Sequence, residues 1–416
     1  MTHWRSIALG LWPALFIGGL AVLPMLRLVW FGATEPLPFA QQGGDFWQGL
    51  LAIWQDDYLR GRIVWSLTQA GVTTFLAVSL GVPVAWVMAR WRFAGRGWLL
   101  QTLMLPFVVP TLVAAMGVLA WWGPQGVLGR WLPWTGSESP WLLIAGNLFF
   151  NLCLVIRAGV AGFLSQSAAQ FDVARTLGAT PWRTFWRLEL PHAMPAILSA
   201  ASLVFLYCLG GFGLALLLGG QAYATAEVAI YTLVAHELEL VLASQLALWV
   251  LLFTGIVVGL YAWLQMRHVT PRGADVMVPR DLQKKQWWPR IGIAWVWLVC
   301  GAVSLAPLLA IFIKALSASA ATWAHVLSAE TGAALFNTLR FSAAGLVVAL
   351  VLGVCHALVG RRYWWWRMWG LLPLMVSPVM IAFGLLLVVP HWLDQWPLLV
   401  GAYALLAMPL VVQPMA

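Results

Sequence analysis

Long apolar runs dominate the chain, and they decide its solvent. Near 8–30, 64–89, 98–121, 140–160, 196–218, 242–264, 291–314, 336–359, 368–390 and 397–416 the sequence holds almost no charge. A bilayer core of about 30 Å takes about 20 such residues as a helix, so the pattern predicts an all-α polytopic membrane protein with about ten transmembrane helices. Only 9% of the 416 residues are charged and 62% are hydrophobic, more apolar surface than a water-soluble fold of this length can enclose. The runs are continuous and do not alternate, which argues against the strands of a β-barrel. Helices also satisfy their own backbone polar groups in lipid. The first run continues to Leu28 without a small-residue cleavage site, so it reads as a span and not as a removable signal.

The net charge of +9 is explained by topology. Arg90, Arg92, Arg96, Arg157, Arg175, Arg183, Arg187, Arg267, Arg272, Lys284, Lys285 and Arg290 fall at loops of one side, while Glu35, Asp56, Asp57, Glu138, Glu227, Glu237 and Glu239 fall at the other. Basic loops resist translocation, so the N-terminus is predicted to be cytoplasmic. Nucleic acid is not an expected partner, whereas membrane lipid is. Cys153, Cys208, Cys300 and Cys355 lie within spans and read as small apolar residues. Most of the 29 tryptophans sit near span ends, where indoles anchor at the interface. No span centre carries an acid, which argues against an ion-coupled secondary transporter or a channel. No nucleophile, metal or acid/base cluster suggests a membrane enzyme, since His192 and His356 stand alone and His236 beside Glu237 is a weak metal signal.

The chain reads as a duplication. SLTQAGVTTFLAVSLGVPVAW from Ser66 lines up with TLRFSAAGLVVALVLGVCHAL from Thr338, matching Leu80 to Leu352 and Gly81 to Gly353. LMLPFVVPTLVAAMG (103–117) lines up with GLLPLMVSPVMIAFG (370–384), matching Pro106 to Pro373 and Gly117 to Gly384. A first repeat is expected over 1–266 with six helices, a polar cytoplasmic linker over 267–290, and a second repeat over 291–416 with four. Both repeats start on the same side, so they are parallel, related by an axis along the membrane normal.

The loop over 165–195 is the most informative segment. It reads FDVARTLGATPWRTFWRLELPHAMPAI from Phe171, basic and amphipathic. One short helix is predicted before Gly178, which can end it in a left-handed conformation. A second begins at Pro181, suited to a first helical turn, and is stopped by Pro191. It interleaves Trp182, Phe185 and Trp186 with Arg183 and Arg187. Such a knob suits docking into a groove of a soluble partner. It equally suits lying on a leaflet, aromatics in lipid and arginines on headgroups.

Asp172, Val173 and Ala174, then Gly178, then Leu188, Leu190 and Pro191 resemble the loop motif of ABC-importer permeases, Glu-Ala-Ala-x3-Gly-x9-Ile-x-Leu-Pro. Every offset agrees; Asp172, Val173 and Leu188 replace Glu, Ala and Ile. The resemblance implies a type I ABC-importer permease fold in a bacterial inner membrane. It also implies a periplasmic solute-binding protein and a separate ATP-binding subunit, working as a homodimer. Gly178 would be a hinge, and Ala179, Thr180, Pro181, Trp182 and Arg183 would meet the ATPase. No cofactor is expected in this chain, because none of Lys284, Lys285 and Lys314 sits in a phosphate-binding Gly-rich loop. The resemblance implies about twelve spans for a duplicated permease, so the chain is expected to be a C-terminally shortened form, its second coupling loop lying beyond Ala416. IWQDDYLRGRIVWSLTQA (53–70), GNLFFNLCLVIRAG (146–159) and LLGGQAYATAEVAIYTLV (217–234) are similar to thiamine or thiamine-pyrophosphate permeases, with iron(III) permeases as the alternative. Glu227, Tyr231, His236, Glu237 and Glu239 are expected on an outward-facing loop, where acids and aromatics would suit a small cationic solute. The positive-inside bias accounts for the same acids without a ligand.

Overall fold

The computed structural model describes residues 3–35, 46–131, 138–267, 279–281, 287–360, 363, 366, 369–370, 372–373 and 376–415. Most of the linker expected over 267–290, with Lys284 and Lys285, lies outside the described residues. Almost everything else is helix. In chain order the helices are α1 (Leu9–Thr34), α2 (Phe46–Gln55), α3 (Asp57–Arg90), α4 (Arg96–Val108), α5 (Thr111–Trp122), α6 (Pro140–Leu164), α7 (Ala168–Thr176), α8 (Pro181–Leu209), α9 (Ala226–Thr232), α10 (Leu240–Leu264), α11 (Trp288–Leu316), α12 (Ala320–Val326), α13 (Ala329–Gly360), α14 (Pro378–Val388) and α15 (Trp396–Met415).

Seven of these are long and apolar enough to cross a membrane, namely α1, α3, α6, α8, α10, α11 and α13, and the pair α4 and α5 makes an eighth if counted as one span. The two remaining expected spans correspond to shorter described apolar helices, α14 and α15. The span expected to be continuous over 98–121 is instead broken, with a bend of 113° between α4 and α5. The cause is local. Pro110 disfavours helical backbone at the residue before it, and Val109 is extended at φ −69°, ψ 134°.

The described chain divides into two compact units, each drawing segments from both sides of the 267–290 stretch. One unit holds Met1–Arg60, Ala229–Thr254 and Ala318–Ala416; the other holds Gly61–Val228 and Gly255–Ser317. In the second unit, Val84, Ala85 and Met88 of α3 pack with Leu152, Cys153 and Ile156 of α6, Ala193 and Ile197 of α8, and Val296 and Val299 of α11. Glycine lets α3 and α6 close up, since a β-carbon on Gly81 would lie 2.9 Å from Val155. A buried polar chain crosses the same packing. Gln69 Nε2 donates to the Cys208 carbonyl at 2.8 Å, Asn147 Nδ2 to Gln69 Oε1 at 2.9 Å, and Asn151 Nδ2 to the Asn147 carbonyl at 2.9 Å. In lipid these groups have no water to fall back on, so Gln69 and Asn147 hydrogen-bond across helices and Asn151 bonds back along its own. A two-residue parallel bridge pairs Trp91 with Arg280 and Arg92 with Asp281. Around it Trp86, Trp91 and Trp288 cluster, with Trp91 and Trp288 edge to face at 4.9 Å.

In the first unit, Ile17 and Ala21 of α1 pack with Ile381 and Leu385 of α14 and with Leu405, Met408 and Val412 of α15. A π turn over Gly18–Val22 precedes Pro24 in α1, and a β-carbon on Gly384 would lie 2.6 Å from the Pro24 carbonyl oxygen. The second unit repeats this arrangement with its own segments. There a π turn over Cys300–Leu305 precedes Pro307 in α11, and a β-carbon on Gly117 would lie 2.9 Å from the Pro307 carbonyl oxygen. These are the two glycines that the internal alignment matched.

Candidate functional site

The loop over 165–195 is built of two helices that meet at a corner at Gly178. Apolar and polar residues alternate too irregularly over Ala168–Thr176 to make a span, and α7 ends after little more than two turns. Gly178 takes φ +73°, the left-handed conformation expected from the sequence. The Leu177 amide donates to the Val173 carbonyl and the Ala179 amide to the Ala174 carbonyl, both at 3.0 Å, closing the helix end. A β-carbon at Gly178 would meet nothing within 4 Å, so only the backbone conformation demands glycine there.

Helix α8 then starts as predicted. Thr180 caps it, extended at φ −67°, ψ 153°, its hydroxyl accepting from the Arg183 amide at 3.4 Å, and Pro181 fills the first turn. Pro191 does not stop it, contrary to expectation. The chain widens into a π turn over Phe185–Glu189, and Pro191 enters within the first two positions of the α-helical stretch that follows. There the missing N–H and the ring fall where the helical ladder has already been opened by the π turn. The exposed knob and the span behind it are therefore one continuous helix, Pro181–Leu209.

Exposure sorts the expected site residues into two sets. Asp172, Gly178, Thr180, Pro181, Trp182, Arg183 and Pro191 are exposed, while Ala174, Ala179, Leu188 and Leu190 are half-buried. Trp182 is 72% exposed and Leu177 81%. The aromatic residues do not form one face. Trp182 and Trp186 meet edge to face at 5.6 Å on the outside, whereas Phe185 turns inward, 5.4 Å from Trp86 and 6.5 Å from Phe163.

Sequence reasoning missed what holds this knob in place. Glu189 is buried and pairs with Arg90 at the end of α3; its carboxylate also accepts from Trp86 Nε1 at 2.5 Å. Its backbone carbonyl accepts from Gln166 Nε2 at 2.8 Å. The Arg90 guanidinium lies over Phe171 of α7 at 5.2 Å and over Trp86 at 5.5 Å. A signal existed in the sequence, since Glu189 is an acid inside an otherwise basic helix.

Of the residues expected on an outward-facing loop, Glu227 is not a loop residue, since it lies in a helix (Ala226–Thr232). Glu227 is 0% exposed and belongs to the interior of its unit. His236, Glu237 and Glu239 are exposed, and Tyr231 meets His236 edge to face at 5.5 Å. Among the described residues no group of three His, Cys, Asp or Glu is placed to hold a metal ion.

Many lipid-length helices, one of them carrying a capped, exposed knob at its start, define a polytopic membrane protein. Residues 81–272 match the family described as the binding-protein-dependent transport system inner membrane component. A thiamine transport system permease protein of Haemophilus influenzae is 27% identical over 96% of this chain and 77% of its own length. One of Escherichia coli is 33% identical over 48% of this chain and 38% of its own length. The chain thus spans about three quarters of one relative and well under half of the other. A bacterial ABC transporter involved in the import of the acidic polysaccharide alginate shares the fold, with a TM-score of 0.51 at 18% identity, covering 64% of this chain and 96% of that one. A molybdenum transport system permease protein of Azotobacter vinelandii is 32% identical with 71% of its length covered, and the chain belongs with it to the family of inner-membrane, multi-pass permeases of ABC importers.

Proposed function

We propose that this permease imports thiamine or thiamine pyrophosphate, released to it by a periplasmic binding protein and driven by ATP hydrolysed on a partner dimer. The observation that carries the solute is the relative from Haemophilus influenzae, described as a thiamine transport permease, whose similarity runs along 96% of this chain. The iron(III) reading is not better supported. With the N-terminus cytoplasmic, as the basic loops favour, the loop at 165–195 faces the ATPase.

The mechanical part of the proposal rests on the loop. Gly178 gives a sharp left-handed corner, Thr180 and Pro181 start a rigid helix, and Trp182, Arg183, Trp186 and Arg187 stand exposed on it. Closure of the ATPase dimer would push this helix. Because α8 runs as one helix from Pro181 to Leu209, the push enters the membrane along its axis. The ATP chemistry stays with the partner, and this chain supplies the gated path.

Uptake of labelled thiamine tests the reading, in vesicles carrying the permease with its binding protein and ATPase. Saturable, ATP-dependent uptake that Gly178→Val abolishes is expected. An assembled complex that hydrolyses ATP but moves no thiamine would overturn the solute assignment. Unimpaired uptake by Gly178→Val would overturn the role of the loop.

A further inference from the structure

The exposed helix is joined to the membrane in two ways. Through the backbone it continues into α8. It is not continuous with α3, yet α3 is where the polar contacts of Glu189 converge. The Glu189 side chain is 2% exposed and that of Arg90 15%, and they form an ion pair. Arg90 Nε also reaches Glu189 Oε2 at 3.2 Å, and Trp86 of the same helix donates to that oxygen at 2.5 Å. From the other side, Phe171 of α7 lies under the guanidinium at 5.2 Å. Both helices of the loop therefore bear on the last turn of α3.

A buried ion pair is a poor device for stability, because desolvating two charges offsets most of their attraction. Its advantage is specificity of placement. Only one arrangement of α3 and the π turn satisfies the carboxylate, the guanidinium and the indole together, and separating them strands a charge away from water. The pair sits on the π turn, the one part of α8 between knob and span where the helical ladder is irregular. A displacement of the knob is most easily absorbed there unless something stiffens it.

We infer that Arg90 and Glu189 are positioning residues that lock α3 to the knob, so that a displacement at residues 179–187 moves α3 and α8 as one body. This rests on the coupling role proposed for the loop. Without the pair, the knob still docks and still pulls α8, but α3 is left behind.

The test uses the full chain purified with its ATP-binding subunits, with Cys355→Ser to remove the one free cysteine that is not buried among the described residues. Spin labels go on Thr68→Cys of α3 and Leu198→Cys of α8, both exposed. The interlabel distance is measured without nucleotide and after trapping with ATP and vanadate, alongside the stimulation of ATP hydrolysis by the loaded binding protein. In the parent complex the distance should be the same in both states. Glu189→Gln keeps the shape of the side chain and removes its charge. It should leave the complex assembled, let the distance change on trapping, and reduce stimulated hydrolysis about tenfold, within the usual span of coupling between sites. Arg90→Lys retains the charge pair and should behave like the parent, a rescue that loss of mere fold support would not give. Parent-like distances and stimulation in Glu189→Gln would overturn the lock. If Gly178→Val loses stimulation while Glu189→Gln does not, the loop keeps its role and only the lock falls. Failure of the parent to assemble with an ATP-binding subunit would overturn both.

Discussion

Helices α3 and α6 in one unit and α13 and α15 in the other are two versions of one helix pair, joined by different chemistry. Their glycine contacts correspond. A β-carbon on Gly81 would lie 2.9 Å from Val155, and one on Gly353 would lie 2.9 Å from Val411. Away from that contact they diverge. The α3–α6 pair buries Gln69, Asn147 and Asn151 in a hydrogen-bonded chain. In the α13–α15 pair, Gly345 packs on Tyr403, where a β-carbon would lie 2.9 Å from the tyrosine's own. His356 of α13 is buried and turns to Trp366, its Nε2 2.7 Å from that backbone carbonyl and its ring stacked on the indole. Membrane helices lack a hydrophobic drive to associate with one another. Close packing of small residues and interhelical hydrogen bonds are the two substitutes. This protein uses the first in both pairs, and relies on a polar chain between helices in the pair that also carries the loop at 165–195.

The sharpest way to break the comparison is at the two matched glycines that face backbone. Gly384→Val and Gly117→Val each drive a branched side chain toward a carbonyl of the opposing helix, at 2.6 and 2.9 Å. Each should destabilise the purified protein by about 3 kcal/mol, the upper end for overpacking, seen as loss of the monodisperse peak on heating in detergent. A tolerated Gly384→Val beside a disruptive Gly117→Val would show that the two units are not packed alike.

Milder changes probe the helix pairs themselves. Gly81→Ala and Gly353→Ala should cost about 1 to 2 kcal/mol each and by similar amounts, because each meets a β-branched valine that can shift only a little. Unequal melting shifts would contradict their equivalence. Asn147→Leu should cost about 1 kcal/mol by leaving Gln69 Oε1 without its donor. The Gln69→Leu, Asn147→Leu double variant should be less destabilised than the two single losses added. Strict additivity in that cycle would mean that the polar chain does not couple the helices. Exposed Trp182→Ala should change stability by less than about 0.5 kcal/mol while weakening retention of the ATP-binding subunit on an affinity column. Full retention would remove Trp182 from the docking surface.

Much of this was legible in the chain alone. Apolar runs of lipid length set the solvent, and their continuity without alternation set the helical class, since a barrel strand would alternate. Gly178, Thr180 and Pro181 announced the corner and the new helix, because each residue type has its own backbone preference. The matched glycines at 81 and 353, and at 117 and 384, stood out as aligned small residues inside apolar runs.

What the sequence could not say is which local tendency yields to packing. Pro191 reads as a stop, yet a π turn lets α8 run through it, and Pro110, one more proline in an apolar run, breaks the span sharply. Glu227 reads as a loop acid and is fully buried. Arg90 and Glu189 are far apart in the chain, and only the approach of α3 to α8 brings their charges together. Solvent class and turn chemistry are local properties, carried by residue type and spacing. Ion pairs, helix continuity and burial depend on which helices come to lie side by side, and that was decided in three dimensions.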